Sequence, residues 1–194
     1  MKDVKIVVIN YATASQSSLY GIVEMLDLAN TMCEQLNAGV SFNAEIYKVE
    51  QLNSNALVDV VILPPSISET FFKHDFTPLI GYMKTMQSHG AMLASACVGA
   101  FILAKRGFLD NKVCTTHWRI ADHFMATFPK AKLDAKAIVV NDGCNSTRSI
   151  ELNESKCLSK LNYLLLCSLN RPDLTYRSSN YWMLRAFEMM RGCV

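Results

Sequence analysis

The sequence predicts an α/β domain with a mostly parallel sheet that carries helices on both faces. Strand-like apolar segments alternate with helix-like segments along most of the chain. The run Leu-Ala-Ser-Ala-Cys-Val-Gly-Ala at residues 93–100 is typical of a strand that turns sharply into a helix at a cysteine, Cys97. The 194 residues, 51% hydrophobic and 19% charged, suit one globular domain rather than a disordered chain.

The elements follow one another in chain order. Strands are predicted for the short apolar or alternating runs at residues 4–9, 41–49, 58–63, 91–96 and 137–140. Helices are predicted for the longer periodic segments at residues 19–36, 75–88, 98–106, 118–128, 158–169 and 178–190. Ser17 and Ser18 are the predicted N-caps of the first helix, and His89-Gly90 ends the second. Parallel sheets bind ligands at the carboxyl ends of their strands, so the turns at Pro64-Pro65 and Ala96-Cys97 mark the expected site.

Charge and composition exclude several functions. Nineteen basic residues nearly cancel seventeen acidic ones, with no basic stripe, so nothing favours direct DNA binding. No signal peptide and no bilayer-length apolar run is visible, and we expect a soluble, cytoplasmic protein without a membrane partner. The seven cysteines lack C-x-x-C spacing, and we expect most to be small buried hydrophobes. Without a glycine-rich phosphate loop or metal-spaced ligands, we expect no cofactor and no metal.

Cys97 has the small neighbours that a tight strand-to-helix turn requires: Ala94, Ser95, Ala96, Gly99 and Ala100. A thiol at the start of a helix lies in the positive end of the helix dipole, which favours the thiolate. A buried core cysteine at the end of a small-residue strand is the alternative. The local sequence leaves both interpretations open.

A wider pattern follows this turn. A Gly-Phe-Leu-Asp-Asn-Lys turn lies at 107–112, a Thr-Thr-His-Trp segment at 115–118, and a Phe-Pro pair at 128–129. Together with Cys97, these resemble the ThiJ/PfpI, or class I glutamine amidotransferase-like, superfamily. The Thr-Thr-His-Trp form is typical of one branch, the N-terminal sensor domains of AraC-type transcriptional regulators. Residues 21–30 resemble that branch's G-P-L-E-V-F-x-x-A-N helix, and residues 137–143 its strand ending in D-D-G.

The resemblance implies a three-layer, flavodoxin-like sandwich forming a single domain over residues 1–194. It extends over residues 3–143 and weakens over 144–194, where Thr147 is the one trace of the family's T-S-A/G-G segment. The DNA-binding domain of AraC-type regulators, with its two helix-turn-helix units, does not fit into this chain. We therefore expect either a fragment of a longer regulator or a stand-alone homologue. The resemblance further implies a small-molecule effector, a homodimer, and DNA contact only through that C-terminal domain.

Three departures from the family pattern favour a non-catalytic site. Val98 stands where family hydrolases carry a histidine, although a nucleophile needs a base within reach. Pro65 stands in the family's P-G-G loop and has no N–H for an oxyanion; losing such a donor costs roughly 10²–10³ in rate. Residues 15–18, Ser-Gln-Ser-Ser, hold no carboxylate where active branches carry an acidic residue. Cys97 and His117 are the remaining catalytic candidates.

We predict a ligand pocket formed by Cys97, Val98, Pro65, His117 and Tyr11. For His117, which the resemblance places across from Cys97, a structural or ligand-binding role is favoured over a catalytic one. Its structural role would be to cap a strand end and anchor the following helix. Tyr11 fits the pocket and an ordinary loop equally well.

Other notable side chains have structural interpretations. Trp118 is predicted to be core or pocket wall. Glu24 is either solvated or in a helix–helix contact, with the contact slightly favoured. His74, His89 and His123 are predicted surface or cap residues.

Three functions stay open at this point. The first is a sensor domain of an AraC-type regulator. The second is a cysteine-dependent hydrolase, deglycase or glyoxalase of the same superfamily. The third is a redox sensor or chaperone-like protein that uses an exposed Cys97.

Overall fold

The computed structural model describes residues 2–137 and 139–141, together with the backbone of residues 145–148. The main sheet consists of β1 (Lys2–Asn10), β2 (Val40–Lys48), β3 (Val60–Leu63), β4 (Met92–Ala96), β7 (Val139–Asn141) and β8 (Asn145–Arg148). A separate two-stranded sheet is formed by β5 (Val113–Cys114) and β6 (Lys132–Leu133). The helices are α1 (Gln16–Gln35), α2 (Thr77–Ser88), α3 (Gly99–Ala104) and α4 (Ala121–Thr127). The helices predicted at 158–169 and 178–190 lie outside the described residues.

The main sheet has the strand order β2-β1-β3-β4-β8-β7. Its neighbouring strands pair in parallel except for β7, which runs antiparallel to β8. All four residues of β3 are buried, so helices cover the sheet on both faces there. This arrangement confirms the predicted α/β class. The strand order reverses at β1, which pairs with β2 on one side and β3 on the other, and ligands of such sheets bind outside this reversal.

Asp59, the charged residue in the otherwise apolar run 58–63, forms hydrogen bonds with the backbone of β1. Asp59 precedes β3, and its carboxylate accepts a hydrogen bond from the Lys5 N–H at 2.8 Å. Its own N–H donates to the Lys5 carbonyl, also at 2.8 Å. Asp59 thereby joins the start of β3 to β1 and remains exposed itself.

Two hydrogen bonds also join helix α1 to strand β2. The Asn30 side chain accepts a hydrogen bond from the Phe42 N–H at 2.7 Å and donates to the Phe42 carbonyl at 2.8 Å. Among the described strands β2 lies at the edge of the sheet, and these two backbone groups face away from β1. Asn30, at the end of the 21–30 segment, thus bonds the Phe42 N–H and carbonyl that an additional strand would otherwise use.

The structure corrects several local predictions. Helix α1 begins at Gln16, and its N-cap is Ser15 rather than Ser17 or Ser18. The predicted helix 118–128 is split into a 3-10 turn over Trp118–Ile120 and α4. Strands β5, β6 and β8 were not predicted. None of the helices in the described part of the chain has the length and apolar character of a membrane span.

Candidate functional site

The predicted elbow is present at the carboxyl end of β4. Cys97 has a φ of 53°, in the left-handed region that costs a non-glycine residue roughly 1–2 kcal/mol. Gly99 permits the turn to pack closely, because a Cβ there would lie 3.2 Å from the Leu63 carbonyl oxygen and 3.4 Å from that of Pro64. The elbow therefore lies directly against the end of β3. The Cys97 residue is half-buried, whereas Val98 after it is buried and caps α3.

The Thr-Thr-His-Trp segment holds the elbow through a side chain. The Thr116 hydroxyl, which is fully buried, donates to the Cys97 carbonyl at 2.8 Å. The Thr115 hydroxyl donates to the Ala137 carbonyl at the same distance, just before β7. The paired threonines thus connect the elbow to the chain that leads into β7. Both bonds join residues about twenty positions apart, so the local sequence motif does not indicate them.

Two backbone carbonyl groups of the loop after β3 already accept hydrogen bonds. Pro64, Pro65 and Ser66 are buried. The Pro64 carbonyl accepts a hydrogen bond from the Tyr11 hydroxyl at 2.6 Å, and the Pro65 carbonyl accepts one from the Ser15 N–H at 2.9 Å. Neither proline has an N–H to offer. This loop therefore joins the loop after β1 and presents no donor at positions 64 and 65.

Tyr11 follows β1 and is buried. It is 2% exposed, and its ring packs edge-on against Phe71 and Phe76. Burial raises the pKa of Tyr11 far above its usual value, and the charge of a Cys97 thiolate raises this pKa further. The phenol thus stays protonated as a donor to Pro64, within electrostatic reach of Cys97.

His117 has the capping role proposed for it as the structural alternative. Its Nδ1 accepts a hydrogen bond from the Arg119 N–H at 3.2 Å, which begins the 3-10 turn. The half-buried imidazole stacks on Trp118 with ring centroids 5.5 Å apart. Trp118 itself is 62% exposed, so it does not lie in the core; its alternative place in a pocket wall stays a prediction. Ala121 and Phe124 fill the core from this segment instead.

The start of α1 contains no acidic residue. Its cap is the Ser15 hydroxyl, which accepts from the Ser18 N–H at 3.4 Å. Glu24 is exposed on the same helix, which agrees with the solvated alternative and not with the helix contact that was slightly favoured. The structure thus places serine hydroxyls where active branches of the family are expected to place a carboxylate.

The other histidines lie in surface or cap positions, as predicted. His89 ends α2, and its Nδ1 lies 2.8 Å from the Thr85 carbonyl oxygen. His74 ends a 3-10 turn over Phe71–Lys73. His123 is exposed on α4 and stacks on Phe101. Among the residues that the structure describes, no three His, Cys, Asp or Glu side chains are grouped to hold a metal ion.

The elbow, the parallel sheet and the site at its carboxyl edge define a class of protein, and comparison with known proteins identifies the family. The DJ-1/PfpI family model matches residues 23–150, which overlaps most of the 3–143 stretch in which the sequence motifs are visible. The chain belongs to the DJ-1/PfpI family. No curated protein sequence matches the chain significantly.

Solved structures share the fold over most of the chain. A provisionally assigned transcriptional regulator from Vibrio parahaemolyticus is 16% identical, with a TM-score of 0.71 over 95% of this chain and 100% of that one. An AraC family transcriptional regulator from Pseudomonas putida is 16% identical, with a TM-score of 0.66 over 86% and 91% of the two chains. Drosophila melanogaster DJ-1beta is 16% identical, with a TM-score of 0.65 over 85% and 91%. At these identities the likeness establishes the fold.

Proposed function

We propose that this chain is the ligand-sensing and dimerisation domain of an AraC-type transcriptional regulator and that it is not catalytic. A small molecule would bind at the carboxyl edge of the sheet, in a pocket that includes Cys97, Val98, Pro65, His117 and Tyr11. DNA contact would come from a C-terminal domain outside this chain. The fold likeness to two regulator structures supports this choice within the family.

The observation that carries the proposal is that the loop after β3 has prolines at positions 64 and 65, which have no N–H. Pro65 has no N–H, and its carbonyl is bonded to the Ser15 N–H. A thiol nucleophile that attacks a carbonyl group needs donors aimed at the oxygen that becomes negative. At positions 64 and 65 the loop offers the elbow no such donor.

Three described features around the thiol also support a non-catalytic site. Val98 is an aliphatic residue directly after Cys97, and the first turn of α1 contains no carboxylate. His117 uses its Nδ1 to cap the following turn. A triad requires a base that is oriented by a third group, and the Nδ1 of His117 accepts a hydrogen bond from the Arg119 N–H.

A cysteine-dependent hydrolase, deglycase or glyoxalase remains the alternative function. The observation in its favour is the left-handed backbone of Cys97, which is kept despite its cost. This function predicts turnover that disappears in Cys97→Ser, whereas the regulatory function predicts none.

The regulatory proposal is tested by the gene beyond codon 194 and by the protein it encodes. We expect the reading frame to continue into two helix-turn-helix units. That longer protein should retard a labelled duplex from upstream of its own gene and not a scrambled duplex of equal length. Cys97→Ser, which preserves shape and polarity at the elbow, should retain this binding. A frame that closes without such units, or equal binding to both duplexes, would contradict the proposal.

A further inference from the structure

Two buried hydroxyl groups at the carboxyl edge of the sheet have no hydrogen-bond partner. They are Thr13 Oγ1, in the turn after β1, and Ser95 Oγ, near the end of β4. The strands β1 and β4 flank β3 in the sheet. Within the part of the chain that the structure describes, these are the only buried side-chain nitrogen or oxygen atoms without a partner. Such atoms are uncommon in native proteins, and each calls for an explanation.

The turn that carries Thr13 is held in place on one side of the candidate site. The Ala14 N–H donates to the Tyr11 carbonyl, and the Ser15 N–H donates to the Pro65 carbonyl, both at 2.9 Å. Thr13 thus belongs to a fixed loop that adjoins the β3 loop, where the strand order reverses and ligands of parallel sheets bind. The residue is half-buried, so a rotation about its Cα–Cβ bond turns the hydroxyl without moving the backbone.

The Ser95 hydroxyl lies deeper in the fold. Ser95 is 4% exposed and is the register partner of Leu63 on β3, so the two side chains lie on the same face of the sheet. Gly99 of the elbow packs on this face, because an added Cβ there would lie 3.4 Å from the Leu63 Cβ. The Ser95 hydroxyl is therefore enclosed, and Thr13 is the better placed of the two to contact a ligand.

The turns on both sides of the site carry hydroxyl groups rather than charges. Residues 11–15 and 64–68 contain no Asp, Glu, Lys, Arg or His, and their hydroxyl-bearing side chains besides Tyr11 are Thr13, Ser15, Ser66 and Ser68. Burial raises the pKa of Tyr11 and keeps it neutral. A hydroxyl both donates and accepts hydrogen bonds, whereas a charged ligand would lose hydration here without gaining an opposite charge. These turns therefore favour an uncharged, hydrogen-bonding ligand.

We propose that the Thr13 hydroxyl is a direct contact of the effector, and that the effector is an uncharged small molecule with a carbonyl, hydroxyl or amide group. The molecule binds between the loops after β1 and β3, and its polar group pairs the hydroxyl that is unpaired in the free chain. The inference rests on the sensing part of the proposed function. A charged effector at this edge would overturn the inference and leave that function intact.

Thermal unfolding of the free, full chain provides the first test. Thr13→Val replaces the hydroxyl with a methyl group, and it should raise the unfolding midpoint by about 2–4 °C because an unpaired buried hydroxyl is removed. Thr116→Val is the matched control: its hydroxyl is fully buried and donates to the Cys97 carbonyl. This control should lower the midpoint. An unchanged or lower midpoint for Thr13→Val would mean that its hydroxyl is already paired, by water or protein, and would overturn the proposal.

The second test uses amides, carboxylates and amines that share straight carbon chains of about two to six atoms. At a concentration tenfold above its dissociation constant, an amide should raise the midpoint of the parent by about 2–4 °C. Thr13→Val should weaken this binding by about tenfold, and Thr31→Val, at an exposed position of α1, should leave it unchanged. A shift with carboxylates or amines alone, an amide shift that is equal in the parent and Thr13→Val, or no shift with any amide would each overturn the proposal.

Discussion

The hydroxyl of Tyr11 and the carbonyl of Pro64 lie 2.6 Å apart and join the loops that follow β1 and β3 beside Cys97. The bond is buried, and it lies at the carboxyl ends of the neighbouring strands β1 and β3, where the strand order reverses. Together with the Ser15–Pro65 bond, it holds the β3 loop in a fixed position against the start of α1. The shape of the candidate site therefore depends on a tyrosine with no obvious motif around it.

Tyr11→Phe should lower the free energy of unfolding by about 1–3 kcal/mol, because it leaves the buried Pro64 carbonyl without its donor. The ring contacts with Phe71 and Phe76 would remain. Urea unfolding followed by circular dichroism measures the change. Tyr20→Phe, at an exposed position, is the control and should have no effect. A loss for Tyr11→Phe no larger than for this control would mean that the bond does not stabilise the loop.

The same tyrosine predicts a loss of stability at alkaline pH. Its pKa is raised in the folded chain by burial and by Cys97, so an unfolded chain ionises at a pH where the folded chain does not. Below a pH of about 10 the phenol is protonated in both states, and the free energy of unfolding does not depend on its titration. Above that pH, the free energy of unfolding should fall by about 1.4 kcal/mol per pH unit. The difference between the parent and Tyr11→Phe in urea unfolding isolates this effect, because all other groups titrate in both. Equal slopes for the two proteins above a pH of about 10 would contradict the assignment.

Asn30→Ala should destabilise the fold by about 1–3 kcal/mol, since it removes both partners of the Phe42 backbone. It should also promote association, because a pairing position on the edge strand becomes available. Asn43→Ala, on an exposed position of the same strand, is the control. Urea unfolding measures the first effect and light scattering the second. Identical behaviour of the two variants would show that Asn30 does not protect the edge.

Gly99→Ala should cost about 1–3 kcal/mol, because its methyl group would press on the carbonyls of Leu63 and Pro64. Gly81→Ala is a matched control within α2, where nothing lies within 4 Å of the added Cβ. That control should gain about 0.5–1 kcal/mol from helix propensity. Urea unfolding distinguishes the two. Stabilisation by both substitutions would show that the elbow is not packed tightly against β3.

Much of the fold could be predicted from the sequence, because the hydrophobic periodicity and the turn residues indicate where the strands and helices lie. The strand before Pro64-Pro65 and the elbow at Cys97 lie within a few residues of their expected positions. The strand β8 could not be predicted, since Asn-Ser-Thr-Arg has no apolar pattern. Its strand state comes from pairing with β4 and β7 on its two sides.

The site was less predictable than the fold. The left-handed turn at Cys97 follows from its small neighbours, whereas the hydrogen bonds of Tyr11, Thr115 and Thr116 join residues far apart in the chain. Such long-range bonds leave no local signal. The exposure of Trp118 shows the same limit, because aromatic residues are usually buried and only the 3-10 turn places this one on the surface.

The central claim is that the Cys97 elbow is retained without catalysis, and thiol-dependent turnover tests it most directly. The purified chain and Cys97→Ser are compared for consumption of methylglyoxal and hydrolysis of p-nitrophenyl acetate at neutral pH. We predict that the two proteins give equal rates for both compounds, because Val98 follows the thiol and Pro65 has no N–H for the oxyanion. Repeated turnover by the parent that is absent in Cys97→Ser would contradict the account.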